Sequence, residues 1–150
     1  MATPANINPR IVEALYGEAL ALSDDVRSAF AQHAAIEGDD ADLIKVALSC
    51  EALRTTTRMM HAVAWLLNHR AYFAGDLSEF QLRRYGKLVD FPEGDSSHLA
   101  LLDPAMRELI RATELFHARL KRLDNGWRDR PTGAPSAITR LRERLAQHAL

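Results

Sequence analysis

Residues 43–73 constrain this chain more than any other segment, because they form a long helical pattern that is apolar on two faces. One stripe runs Leu43, Val46, Cys50, Leu53, Thr57, Met60, Ala64, Leu67, Ala71, in steps that alternate three and four. At about 100° per residue these positions stay on one side of an α-helix. A second stripe, Ile44, Leu48, Ala52, Met59, Val63, Leu66 and Phe73, lies on another side. Such a helix is expected to be central, with a neighbour on each apolar face. The first stripe is read as the main core seam. A carboxylate placed in it, as in Leu53→Asp or Met60→Asp, is then expected to unfold the protein. Cys50 on the same stripe is expected to be a buried, inert thiol.

A third face carries Glu51, Arg54, Arg58, His61, Trp65, His69 and Tyr72. Its polarity argues against a membrane span. Aromatic and arginine side chains are enriched where proteins bind one another. Arg54, Arg58, His61, Trp65, His69 and Tyr72 are therefore candidate partner-binding residues. The competing reading is that the third helix, or the connection before it, covers Trp65.

The other elements follow from cap and turn chemistry. Asn8 and Pro9 supply an N-cap and an N1 proline for a helix over about 9–36, with a buried stripe of Ile11, Leu15, Ala19, Leu22, Val26, Ala29 and Phe30. Gly38 suits its C-terminal cap, and the short connection predicts an antiparallel second helix over about 42–74, ended by Gly75. Thirty-odd residues at 1.5 Å each give roughly 50 Å, an elongated rod. Ser78 caps a short helix to Tyr85, and residues 91–97 read as loop. Asp103 and Pro104 start a third long helix whose stripe is Met106, Leu109, Thr113, Phe116, Leu120 and Leu123. Asp124-Asn125-Gly126 is expected to end it. The fold class is thus all-α: an elongated antiparallel three-helix bundle with a short helix in the second connection. Residues 1–125 form the bundle domain, and 126–150 a flexible linker with a basic amphipathic tail. In that tail Ile138, Leu141 and Leu145 share an edge beside Arg140, Arg142 and Arg144, which makes these residues further partner-binding candidates.

Charge is unevenly spread. Residues 1–52 carry three basic and nine acidic side chains, a net of −6, whereas 117–150 carry eight and three, a net of +5. A basic tail of this kind suits an acidic partner. No apolar run reaches the roughly 18 residues of a membrane span. The first nine residues lack the basic start and apolar core of a secretory signal. One cysteine allows no internal disulfide and fits a reducing cytoplasm.

No catalytic constellation is recognisable in the sequence. Glu114 and His117 make a single Glu-x-x-His pair, where a di-iron bundle needs two pairs and two further glutamates. His61 and His69 sit two turns apart and cannot close a metal site alone. Phosphate-binding and dinucleotide glycine loops are missing. The expectation is a chain that is not an enzyme and takes no cofactor or metal.

The segment from Glu51 to Ala71, EALRTTTRMMHAVAWLLNHRA, resembles the signature of a small alphaproteobacterial family, the regulator of CtrA degradation (RcdA) family. Leu15-Tyr16-Gly17-Glu18-Ala19-Leu20 is similar to its opening motif, and Gly75-Asp76-Leu77-Ser78 to its turn after the central helix, where glutamate would be expected at 76. The resemblance spans roughly residues 11–91, matches the third helix mainly by pattern, and hardly touches the tail. It implies a dimeric three-helix bundle without catalytic activity. It also implies an adaptor for regulated proteolysis in cell-cycle control. Such an adaptor joins substrate proteins, among them transcription regulators, to a ClpX protease complex primed by the response regulator CpdR. Tethering of this kind raises effective concentration without new contacts at the unfoldase pore. The alternative is a nucleic-acid-binding or nucleoid-associated helical protein acting through its basic C-terminal third. The acidic bundle and the missing helix-turn-helix spacing disfavour it.

Overall fold

The computed structural model describes residues 7–33, 41–129 and 137–149, with the side chains of 41 and 137–140 outside that description. The described residues are all-helical: α1 Pro9–His33, α2 Ala41–Phe73, α3 Glu79–Tyr85, α4 Ser96–Leu99, α5 Pro104–Arg128 and α6 Ala137–His148. No strand occurs among them, and no helix is long and apolar enough to cross a membrane.

The helix ends are set largely by short-range chemistry. Asn8 Oδ1 accepts a hydrogen bond from the Ile11 amide at 2.9 Å and starts α1. Gly75, at φ +85°, ends α2. Its amide bonds the Tyr72 carbonyl at 3.1 Å while the Asp76 amide reaches the Ala71 carbonyl at 2.9 Å, the pairing of a Schellman turn. Ser78 and Gln81 form a reciprocal capping box at the start of α3. Asp103 caps α5 ahead of Pro104. The expected cap at Gly38 lies outside the described residues, as does the part of the expected linker from 130 to 136. Within the expected loop over 91–97, Asp95 accepts from the Ser97 and His98 amides and opens the single turn of α4.

Two expectations are corrected. First, α5 does not end at Asp124-Asn125-Gly126 but runs on to Arg128. A helical glycine costs about 1 kcal/mol against alanine, and here that cost is offset by burial of Asp124 and Trp127. Second, the long helices are not antiparallel throughout. Arg70 pairs with Glu13 and Arg119 with Glu18, so α1 runs against both α2 and α5. Ala47 and Leu48 pack with Met106 and Ile110, and further along Trp65 meets Asp124, so α2 and α5 run parallel. The connection from Ala74 to Asp103 is long enough to return along the helices before α5 begins.

Helix α2 is the central element, packed against α1, α5, α3 and α4. One core cluster gathers Leu15 and Ala19 of α1, Met59, Trp65 and Leu66 of α2, and Phe116 and Leu120 of α5. A second joins Ala47, Leu48, Leu102, Met106 and Ile110. The stripes read for α1 and α5 face these clusters.

Candidate functional site

The polar face of α2 points inward. Trp65 is 2% exposed, and Arg58 and His69 are 1% exposed. The Trp65 indole N–H donates to Asp124 Oδ1 at 3.0 Å, and the second Asp124 oxygen accepts from the Leu88 amide at 3.1 Å. Arg128 also donates to this carboxylate and then to the Arg83 carbonyl. Arg58 donates to Thr113 Oγ1 at 3.0 Å and to the Pro92 carbonyl at 2.8 Å, with its guanidinium over the Phe91 ring. Glu51, fully buried, accepts from Arg54 at 2.7 Å and from the Asp95 amide at 3.0 Å, and lies 3.2 Å from His98 Nδ1. These groups fasten the connection between Leu88 and His98 across α2 and α5. Most buried polar groups are paired, and the irregular backbone of this connection supplies partners for Glu51, Arg58 and Asp124.

Of the two readings of this face, the covering one holds at Arg58, Trp65 and His69, which the connection and α5 cover, so these three are not free to bind a partner. Arg54, His61 and Tyr72 are half-buried at its margin, His61 against Phe91. His69 lies between Trp65 and Trp127, at centroid distances of 4.2 and 5.6 Å, and neither ring nitrogen has a hydrogen-bond partner among the described residues. Burial lowers its pKa from 6.5 to about 4. The same cause lowers those of His117 and Arg58. Among the described residues no group of three or more His, Cys, Asp or Glu could hold a metal ion.

The stripe expected to be the main core lies outside instead. Leu53 is 72% exposed and Met60 65%, and Leu43, Val46 and Leu67 are exposed with them. Cys50 is exposed too, so the buried-thiol expectation is corrected. The reason is geometric. Helix α1 takes the side of α2 that carries Met59, Val63 and Leu66, while α5 and the connection take the adjoining side from Glu51 to His69. The strict three-four stripe is the side left over. Beside it, between α1 and α2, runs a groove of about 600 Å³ lined by Leu20, Val26, Phe30, Met59, Met60 and Leu67 among others. The expected outcome for Leu53→Asp therefore reverses. The helical signal and melting temperature should stay near wild type, within about 0.5 kcal/mol as for ordinary surface changes, in a circular-dichroism melt at low micromolar protein.

The pattern alone did not single this face out, since the α5 stripe from Met106 to Leu123 alternates three and four just as strictly and faces the core. In the tail, Leu141, Arg142 and Leu145 are exposed on α6, whereas the side chains of Ile138 and Arg140 lie outside the described residues.

A family of proteins of unknown function (DUF1465) matches the chain over residues 3–149. The chain belongs to this family. Its match includes the segment from Glu51 to Ala71, and the buried arrangement of Arg58, Trp65 and His69 gives that DUF1465 segment a structural role in pinning the connection onto α2. No curated protein and no solved structure matches this DUF1465 member.

Proposed function

We propose that this chain is a non-enzymatic protein–protein adaptor, an elongated three-helix bundle that tethers substrate proteins to a ClpXP-type protease. The observation that carries the reading is the uncovered apolar face of α2, bordered by Leu43 and Leu67, on a chain whose polar central residues are spent on internal contacts. Large contiguous apolar surface on a folded domain marks a protein-binding site. The exposed apolar edge of α6, Leu141 and Leu145 beside Arg142 and Arg144, supports a second contact with an acidic groove. An adaptor needs at least two such surfaces, one for the protease complex and one for cargo.

The test is capture with a proteolytically inactive ClpP trap, comparing cells that carry the full chain with cells that lack it. Cargo proteins should enter the trap only with the chain present, and truncation at Pro135 should reduce entry of at least one of them without lowering the melting temperature. An identical set of trapped proteins with and without the chain would reject the proposal.

A further inference from the structure

Helix α3 is seven residues long, too short to persist alone, so tertiary contacts hold it in place. Leu82 is fully buried, Arg83 stacks over the Trp127 ring at 4.6 Å and pairs with Glu79, and Ser78 with Gln81 closes the first turn. At the other end Arg128 donates to the Arg83 and Leu82 carbonyls. The helix is pinned at both ends and along one side. Phe80, Arg84 and Tyr85 take no part in this. Phe80 is 70% exposed and Tyr85 73%, more than a surface aromatic needs to be on a helix held this firmly. Among the described residues Arg84 has no hydrogen bond or ion pair, and it lies over the Tyr85 ring at 5.5 Å.

At about 100° per residue, Arg84 falls about 40° around the helix from Phe80 and Tyr85 about 140°. The guanidinium therefore stands between the two rings, on the side opposite Leu82 and Arg83. Lys87, just past the helix end, is exposed as well. We propose that this surface binds a short acidic peptide bearing an apolar side chain. Its carboxylates meet Arg84 and Lys87, and its apolar group lies against Phe80 and Tyr85. The site shares no residue with the exposed face of α2, and holds whether or not that face carries cargo.

A single exposed aromatic on a protein surface is ordinary. Two on a helix of about two turns, flanking a cation, have the composition of an interface hot spot, where aromatic and arginine side chains are enriched. Helix-end electrostatics do not account for Arg84, because Arg128 already serves the last carbonyls. Charge then selects the occupant. Glu79 is bonded to Arg83 and Asp90 to Lys121, and Asp76 precedes the cap, at the opposite end of α3 from Arg84 and Lys87. A carboxylate fits the guanidinium fork, and the flanking rings take an apolar neighbour. A nucleic acid fits less well, since two cations make no track along a phosphate backbone. The area is well below that of a stable interface, so the contact is a transient one. Because α3 is held rigid beforehand, little ordering is lost on binding.

The test titrates full-length protein into a panel of short fluorescein-labelled peptides in which pairs of aspartate or glutamate alternate with leucine or phenylalanine. Fluorescence anisotropy reads the binding. Saturable binding is expected, weakening as salt rises and absent when lysine replaces each acid. Phe80→Ala combined with Tyr85→Ala should weaken it about tenfold or more, and so should Arg84→Glu alone. Arg84→Lys, which keeps the charge, should lose less. All of these variants should keep the wild-type melting temperature. Leu53→Asp should leave peptide binding unchanged, so a failure of the α2 face as a cargo site and a failure of this one are told apart. The proposal is overturned if no acidic peptide binds saturably, if the lysine versions bind as well, or if affinity survives the α3 variants. A marked fall in melting temperature on removing the two rings would overturn it too, by giving them a structural role. So would tighter binding of a single-stranded oligonucleotide than of any peptide in the panel.

Discussion

Trp65→Ala is expected to lower the free energy of unfolding by about 3–5 kcal/mol, the range for deleting a buried tryptophan. Trp65 is 2% exposed, belongs to the main core cluster, and its N–H is bonded to the buried Asp124. Its loss both opens a cavity and removes one of the donors that make a carboxylate at that depth tolerable. Set against a total of about 5–15 kcal/mol, this is a large fraction of what holds a domain of this size together. Urea unfolding followed by circular dichroism measures it. Trp65→Phe separates the two contributions, since it keeps most of the ring volume and drops the donor. That variant should lose about 1–3 kcal/mol. Wild-type stability in Trp65→Ala would mean that the polar face of α2 is not interior. Read together with Leu53→Asp, the pair tests which way the helix faces. The tryptophan change should be costly to folding and the leucine change nearly silent.

Acid should destabilise the fold through His69. Its folded-state pKa is lowered from 6.5 to about 4 by burial, with the nearby Asp124 acting in the opposite sense and Arg128 in the same sense as burial. The sign follows from proton binding. The unfolded imidazole takes up its proton near pH 6.5, but the folded one only near pH 4, so between these values the unfolded state holds more protons. Stability is therefore full above pH 6.5 and falls as pH drops through the window, by roughly 3 kcal/mol once pH 4 is reached. His117 is shifted in the same direction, first by burial and then by the neighbouring Arg58 charge, and adds to the fall. His69→Phe keeps a ring between Trp65 and Trp127 without a titrating nitrogen. Its stability should decline less between pH 6.5 and 4 than that of wild type, in parallel urea titrations. Equal slopes for the two proteins would show that His69 is protonated as readily in the fold as outside it.

How far the sequence could be read depended on the range of the interaction involved. Caps and stops were legible because each is settled within a few residues. Asn8, Gly75, Ser78 and Asp103-Pro104 all act where they were expected. The inward stripes of α1 and α5 were legible as well, since each of these helices has one apolar face and one place to put it. Asp124-Asn125-Gly126 misled because its turn chemistry is local, whereas the Asp124 carboxylate is claimed by Trp65, Leu88 and Arg128 from three parts of the chain.

The sequence by itself determined that this chain is helical, where most of its helices begin and end, and that α2 carries more apolar surface than one neighbour can cover. Which face of α2 became interior was decided only in three dimensions. Periodicity places residues on a face but does not say what lies opposite, and α2 offered three faces, of which α1 covered one and α5 with the connection another. The connection from Leu88 to His98 brought backbone donors and acceptors that Glu51, Arg58 and Asp124 satisfy, together with Glu114 and Lys121. Satisfying them drew the polar face of α2 inside and turned its cleanest apolar stripe to the surface. A buried unpaired charge or amide costs more than an exposed leucine, so the long-range pairing prevailed over hydropathy.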